Sequence, residues 1–378
     1  VNGSPIARLF GFEIRVHLSW AIVLAVIIVT VAAEVGAVEP TVAPPIRWLV
    51  GGVVALLFLG SAVLHELGHA VVARRSGMPV GPIVVFFFGG AATPDEGALR
   101  ARDEVAAAVA GPLVSLVIGV VLVGAAGLAA SIGTEATLAA GQLILMVGLL
   151  NLVLGAINLV PAYPLDGGRL VRGLAWMRTG DPRRATRIAA AAGRAIGWVL
   201  VALGMAVILT ADTIDGLMLG LCGWFLTSAA RQVDRRALVD DLLDGLRVDE
   251  VMDRDVHGLP PGLTIDAFAG QMLDGSASSS LPVVRGTEFL GVIGAGQLRR
   301  LKRGVWPQTR AEDVMVAAAS LPSLGPETPL RTAFDDLRRT GLDGLAVIGT
   351  DGLAGIVTRR AVIEALHSRA RLRGVVLP

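Results

Sequence analysis

Ala62-Val63-Leu64-His65-Glu66-Leu67-Gly68-His69-Ala70-Val71-Val72 puts two imidazoles and a carboxylate inside an otherwise apolar run. The run covers residues 48–73, enough for the roughly 20 residues a helix needs to cross a bilayer. On a helix His65 and His69 lie one turn apart on one face, so both rings can reach one Zn²⁺ with Glu66 beside it. Zinc lowers the pKa of the water it holds to about 7, and a carboxylate can then take that water's proton as it attacks a carbonyl. A charged group at mid-membrane costs about 2.5–3.5 kcal/mol on insertion scales, which favours a functional cluster over a histidine pair that only packs two helices.

Working outward, charge divides the chain. Residues 1–230 carry 27 of the 65 Asp, Glu, Lys and Arg, and residues 231–378 carry 38. A membrane half therefore precedes a soluble half. Apolar stretches over residues 18–38, 48–73, 105–130, 136–159, 188–209 and 214–230 predict six spans. Arg8 and Arg15 precede the first span, and Arg74, Arg75, Arg100 and Arg102 separate the second from the third. Arg169 to Arg187 follow the fourth, and Arg231, Arg235 and Arg236 follow the sixth, so the positive-inside bias predicts both termini on the cytoplasmic side. The first apolar segment is too long for a cleavable leader and is expected to remain as a span. A net charge of +1 excludes a field strong enough to imply nucleic acid. Cys222 cannot form an internal disulfide, being the lone cysteine, and reads as a small buried thiol.

A hydrolytic zinc normally takes three protein ligands and keeps one position open. Asp166 is the best third candidate, as the only acid between Glu135 and Asp181. It follows the inner end of the fourth span, level with the inner end of the second, where the histidines lie. Pro161 and Pro164 should break the helix before it. The other reading of Asp166 is an interfacial helix cap. Asn158 is suited either to hold a peptide carbonyl or its oxyanion, or to bridge two helices. Gly111-Pro112 in the third span reads as close helix packing, with Ser115 available to the backbone group that Pro112 frees. Residues 80–92, with Phe86, Phe87, Phe88, Gly89 and Gly90, are too short to cross as a helix and predict a strand or hairpin at the membrane surface. Its edge could take up an unwound substrate segment by strand addition, or it could be a dipping loop with no substrate role.

In the soluble half, Asp249-Glu250-Val251-Met252 recurs as Glu312-Asp313-Val314-Met315, Leu281-Pro282-Val283-Val284 as Leu345-Ala346-Val347-Ile348, and Gly291-Val292-Ile293 as Gly355-Ile356-Val357. A repeat of this kind is one supersecondary unit used twice, and it resembles a tandem CBS pair.

Together, His65-Glu66-x-x-His69 in the second span, Gly111-Pro112 in the third, and Asn158 with Leu165-Asp166-Gly167 at the end of the fourth are similar to the site-2 protease family of intramembrane zinc metalloproteases. The resemblance covers residues 7 to about 230 and implies the branch with C-terminal CBS domains. It implies His65, His69 and Asp166 as Zn²⁺ ligands, Glu66 as general base, Asn158 as a catalytic residue, and Phe86, Phe87, Phe88, Gly89 and Gly90 as the strand that meets substrate. The expected fold is a polytopic α-helical membrane protein, six transmembrane helices with a small β element, followed by an α/β tandem CBS pair. The division expected is 1–230 for the membrane domain, 231–246 for a linker, and 247–308 and 309–372 for the two CBS repeats. The expected activity is cleavage of a transmembrane segment of another protein, such as a single-span anti-sigma factor, in a bacterial or archaeal cell membrane. The alternative is a CBS-gated zinc transporter or channel. A dead scaffold is disfavoured because each expected ligand is present. CBS pairs commonly bind adenine nucleotides through an Asp after a Gly-x-x-Ser/Thr stretch, but Gly294-Ala295-Gly296-Gln297 and Thr358-Arg359-Arg360 lack that Asp. A homodimer through the pair is the firmer expectation.

Overall fold

The computed structural model describes residues 4–375 apart from 79, 87–88, 91–99, 211–212, 257, 274–279, 287 and 351. They form two compact units, Val1–Ala237 and Leu238–Pro378.

The first unit opens with a hairpin of β1 (Ser4–Leu9) and β2 (Phe12–Val16). Phe10 and Gly11 make the turn, both at positive φ, the two-residue geometry that matches strand twist. Six long helices follow: α1 (Trp20–Val38), α2 (Pro44–Arg75), α3 (Ala101–Ile132), α4 (Glu135–Asn158), then, after the short α5 (Asp166–Thr179), α6 (Pro182–Thr210) and α7 (Thr213–Leu243). All but α5 are long and apolar enough to span a membrane. The helices α2 and α3 outrun the spans read from the sequence. At 32 residues each they reach about 48 Å, beyond a hydrocarbon core of about 30 Å, because backbone hydrogen bonding continues through Arg74, Arg75 and Arg102 after the apolar run has ended.

Small residues set the helix contacts, as expected where lipid removes the hydrophobic drive for association. A Cβ at Gly51 would fall 2.6 Å from Ile28 O of α1, and one at Gly68 would fall 3.1 Å from Ala110 O of α3. Gly119 faces Leu152 of α4, Gly173 of α5 faces Val105 of α3, and Gly204 of α6 faces Gly220 of α7. Outward side chains such as Ile22, Leu57, Val121, Leu149 and Trp224 are exposed, as a lipid-facing surface requires. Cys222 is exposed as well, which corrects the buried reading: the apolar stretch around it faces outward.

The expected strand is present as β3 (Ile83–Phe86), with β4 (Gly89–Gly90) antiparallel to it. The order is β1-β2-β3-β4, with β3 parallel to β2 through Ile14↔Ile83, Arg15↔Val84 and Val16↔Val85. Thus β3 is an inner strand, and the described edge beyond it is β4. Phe12, Ile83 and Val85 are buried with Val54, Phe58 and Ala70, which ties the sheet to α2.

The second unit contains α8 (Ile265–Leu273), β5 (Ser280–Arg285), β6 (Glu288–Gly294) and α9 (Ala295–Arg300). Its second half contains α10 (Ala311–Val314), β7 (Val316–Ala317), α11 (Leu330–Thr340), β8 (Gly344–Gly349), β9 (Gly352–Thr358) and α12 (Arg359–Leu372). The repeat is structural as well as sequential: β5 and β8 both carry a register shift, at Val283/Val284 and Val347/Ile348. At the head of each repeat the chain makes a single parallel bridge, Leu259↔Val283 and Leu324↔Val347. The halves exchange their lead-in segments. Asp253 exchanges backbone hydrogen bonds of 2.9 Å with Ile356, and Ala311 N donates to Leu263 O at 2.8 Å. Leu242, Leu243 and Val248 accordingly belong to the core of the second repeat, with Leu330, Val347 and Val357.

Candidate metal centre

Three elements build the site. Helix α2 carries His65, Glu66 and His69, all buried. Helix α5 begins at Asp166, and α3 lies across both. The turn before α5 is tight: Leu165 N donates to Ala162 O at 2.9 Å and Gly168 N to Leu165 O at 3.0 Å. A Cβ at Gly167 would meet Val160 O and come 2.5 Å from Leu159 O, and one at Gly168 would come 2.6 Å from Tyr163 N. Two glycines are therefore needed for α5 to start folded against the end of α4, and this brings Asp166 to the histidines.

Asp166 Oδ2 lies 3.1 Å from His65 Nε2 and 3.1 Å from His69 Nε2, and the two nitrogens lie 3.2 Å apart. Two ligand nitrogens and one carboxylate oxygen thus form a near-equilateral triangle. Around a tetrahedral zinc with bonds of about 2.0–2.1 Å, donor atoms lie about 3.3–3.4 Å apart, so this triangle fits that ion with little adjustment. These three are the group of His, Cys, Asp and Glu able to share a metal among the described residues.

The other ring nitrogens set the tautomers. His69 Nδ1 stands 2.6 Å from Ala107 O, a carbonyl that can only accept, so Nδ1 carries the proton and Nε2 keeps its lone pair. His65 Nδ1 lies 2.9 Å from Ser115 Oγ, a hydroxyl that can donate or accept; when Nδ1 is the donor, Nε2 keeps its lone pair in the same way. Ala107, Gly111 and Ser115 are spaced by four along α3, one face of a helix. Gly111 sits between the two partners: a Cβ there would press on His69 Nε2 and lie 2.7 Å from His65 Nε2. That face of α3 supplies two hydrogen-bond partners and, between them, the absence of a side chain. Ser115 corrects the sequence reading, in which its hydroxyl served a backbone group freed by Pro112; it serves His65.

A half-buried ion pair lies nearby. Arg172 of α5 donates to Glu104 of α3 through Nη1 and to Thr186 Oγ1 of α6 through Nε at 2.8 Å. It fastens the helix that begins with Asp166 to its neighbours. Burial pushes the nearby Tyr163 phenol up to about 12, so it stays protonated across the physiological range.

Asn158 is half-buried, and its Nδ2 donates to Leu154 O at 2.9 Å, one turn back. Among the described residues its amide makes no hydrogen bond to the histidine–aspartate triangle. The backbone of Phe86, Gly89 and Gly90 is in strand, while Phe87 and Phe88 lie outside the described residues. Sequence reasoning missed the roles of Ala107, Gly111, Ser115 and the Glu104–Arg172 pair. The available signal was the four-residue spacing of small residues on the third span.

The chain matches Peptidase family M50 over residues 53–131 and 124–200, and the CBS domain over residues 248–304 and 311–368. A protein of Mycobacterium tuberculosis named as zinc metalloprotease Rip3 is 32% identical across 87% of this chain and 84% of its own length. One of Synechocystis named as zinc metalloprotease sll0528 is 31% identical across 83% of this chain and 82% of its own. The solved site-2 protease from Methanocaldococcus jannaschii aligns with 62% of this chain and 95% of its own at 27% identity, with a TM-score of 0.42. The chain accordingly belongs to peptidase family M50, the site-2 protease family of membrane zinc metalloproteases, with a tandem of CBS domains behind its transmembrane helices.

Proposed function

We propose that this enzyme cuts a peptide bond within or beside a membrane helix of another protein, as a step of regulated intramembrane proteolysis. In this reading His65 Nε2, His69 Nε2 and Asp166 Oδ2 hold the zinc. The observation that carries it is the convergence of those three atoms, 3.1–3.2 Å apart, at the buried junction of α2, α3 and α5.

When bound, zinc supplies Lewis-acid polarisation of the scissile carbonyl and acidifies water toward a pKa of about 7. Glu66, next to His65 on α2, takes a proton from the attacking water and delivers it to the departing amine as the C–N bond breaks. Ala107 and Ser115 fix the imidazole orientations. Asn158 sits one loop before Asp166, and releasing its bond to Leu154 would free an amide for the substrate carbonyl. Phe86 to Gly90 would hold an unwound substrate segment by strand addition to β4. The substrate class proposed is a single-span membrane protein, an anti-sigma factor for example. The cytoplasmic placement of both termini, a membrane domain over 1–230, and CBS repeats at 247–308 and 309–372 that pair two copies and regulate the protease belong to the same proposal. Its support is the alternating arginine bias of the loops, for the termini, and the twofold match to the CBS domain over residues 248–304 and 311–368, for the repeats. An adenine nucleotide stays a candidate ligand of the pair, without the ribose-binding Asp and with Arg360 engaged by Glu364 at 2.8 Å.

The test measures zinc in detergent-purified protein while following cleavage of a panel of single-span membrane proteins. Wild type should carry stoichiometric zinc, Asp166→Ala should lose most of it, and Glu66→Gln should keep it while cleavage drops about 10²–10⁴-fold. Chelation should stop cleavage, and added zinc should restore it. Cleavage that survives Glu66→Gln would overturn the assignment of the base.

A further inference from the structure

Helix α5 meets α3 at two levels. At the first, Asp166 joins the two histidines where they lie against Gly111. At the second, Gly173 packs on the start of α3, where an added Cβ would lie 3.2 Å from Val105 N and 3.4 Å from Ala101 O. From Asp166 to Gly173 is about 10 Å of α5, and from Gly111 back to Val105 is about 9 Å of α3, at 1.5 Å per residue. The contact points keep nearly the same spacing on both helices, which therefore run side by side in opposite directions and in one register.

A glycine seat allows close approach but offers no side chain to stop one helix sliding on the other. The stop stands beside it. Glu104 of α3 pairs with Arg172 of α5, and Arg172 also donates through Nε to Thr186 Oγ1 of α6 at 2.8 Å. Thr186 is itself fixed, its hydroxyl donating to Pro182 O at 2.9 Å. Glu104 is 3% exposed, and its Oε2 has no hydrogen-bond partner among the described residues. A carboxylate sealed from water is costly unless paired, so displacement of Arg172 would leave Glu104 with no solvent to turn to. Glu104 also shares its face of α3 with Ala107, Gly111 and Ser115, at spacings of three and four.

We propose that Glu104 and Arg172 are positioning residues of the metal centre: their pairing fixes the register of α5 on α3, and with it the placement of Asp166 against the two imidazoles. The glycine turn at Gly167 and Gly168 sets Asp166 against the end of α4, whereas the ion pair ties it to the helix that orients His65 and His69. Glu104 stands about 10 Å from Gly111 along α3, so the pair acts through the helices. Over so short a length a helix is stiff, and a slip at Arg172 reaches Asp166 undiminished. A zinc–oxygen bond of about 2.0–2.2 Å tolerates little of it. The inference rests on His65, His69 and Asp166 being the zinc ligands.

Zinc affinity of the full-length protein in detergent, measured by chelator competition, tests it together with the visible spectrum of the Co²⁺-loaded form. Arg172→Met alone would strand a buried charge and could fail by misfolding. The deciding variant is Glu104→Leu combined with Arg172→Met, an exchange of a buried pair for hydrocarbon that is often neutral for stability. It should keep the thermal unfolding of wild type while binding zinc about 10- to 100-fold more weakly. Its Co²⁺ bands should lose intensity as coordination departs from tetrahedral, which a merely structural role would not cause. Glu104→Gln, isosteric and without the burial cost of a charge, should weaken zinc by about three- to tenfold, and it decides the matter should the double variant not fold. Zinc affinity and Co²⁺ spectrum like those of wild type in both variants, beside loss of zinc in Asp166→Ala, would overturn the proposal alone. Zinc retained by Asp166→Ala would overturn the ligand assignment and the proposal with it.

Discussion

Between the helices of the transmembrane unit the sealed residues include Ser61, His65, Glu66, His69, Glu104, Ser115 and Asn151, whereas the soluble pair seals in Leu330, Leu337, Val347, Val357 and Val362, with Ser280 its one buried polar residue among those described. The contrast follows from solvent. Water drives the aliphatic side chains of the CBS repeats together at about 25 cal/mol per Å² of apolar surface removed. In lipid that drive is missing, so the helices meet through glycines and are joined by hydrogen bonds. The consequence is a division of labour: where packing is supplied by Gly51, Gly68, Gly111 and Gly119, chemistry-bearing side chains can converge in the interior without displacing a core. If so, the two units should fail differently when a residue is enlarged, truncated or unpaired.

The largest expected effect is at Gly111. A side chain there must occupy the space of two imidazole nitrogens, so Gly111→Leu should reduce zinc in the purified protein to background while circular dichroism still reports the helical content of wild type. Full zinc occupancy in Gly111→Leu would mean that α3 can retreat from α2, and that the glycine face is not what admits a metal. The matching change in the other unit is a truncation. Leu330 is fully buried in the second CBS core, so Leu330→Ala should destabilise that unit by about 2–5 kcal/mol through lost burial and a residual cavity. Thermal unfolding of the soluble unit should move well down in temperature, with zinc content unaltered. A drop in zinc would tie the two units together energetically and blur the distinction drawn here.

How much of this could be read in advance follows the same line. The spans were legible because about 20 apolar residues with few charges have little choice of environment, and the spacing of four in His65-Glu66-Leu67-Gly68-His69 forces one helix face. The CBS pair was legible because Val283 and Val347, or Gly291 and Gly355, stand in repeated company. The partners of the histidines were not. Ser115 is 50 residues from His65, and Ala107 offers only a backbone oxygen, which any residue has. Gly111 acts by lacking a side chain, and a sequence marks such a position only as one more small residue among many. The pairing of Glu104 with Arg172 was hidden because each, taken singly, is an ordinary charge at the end of a span. The parallel pairing of β2 with β3 joins segments some 70 residues apart, whose union is decided by where α1 and α2 return the chain.

Ser115 gives a smaller effect that sharpens the comparison. Removing its hydroxyl leaves the His65 ring in place but unanchored at Nδ1, and loss of such a partner typically lowers metal affinity or activity about 10- to 100-fold. Ser115→Ala should therefore lower zinc affinity in competition with a chelator, with stability little changed, and Ser115→Thr should restore part of it. Loss of stability in place of affinity would make Ser115 a packing residue.

The smallest effect is expected at Asn151, where the membrane unit uses a polar contact for cohesion alone. Its side chain is fully buried on α4, and Nδ2 donates to Ser61 Oγ of α2 at 3.0 Å and to Val147 O of its own helix at 2.8 Å. Ser61 lies one turn before His65, so this bond braces the same face of α2 that Ser115 and Asp166 engage further along. Interhelical hydrogen bonds of this kind average about 0.6 kcal/mol in membranes, since the separated helices find other partners. Asn151→Leu removes the donor and also the unpaired Oδ1, which has no partner of its own. The two changes nearly offset, and the variant should unfold within about 1 kcal/mol of wild type, with zinc content and cleavage retained. A loss of zinc in Asn151→Leu would show that the bond positions α2 rather than merely joining it, and the boundary between cohesion and chemistry in this unit would then have to be drawn one helical turn further out.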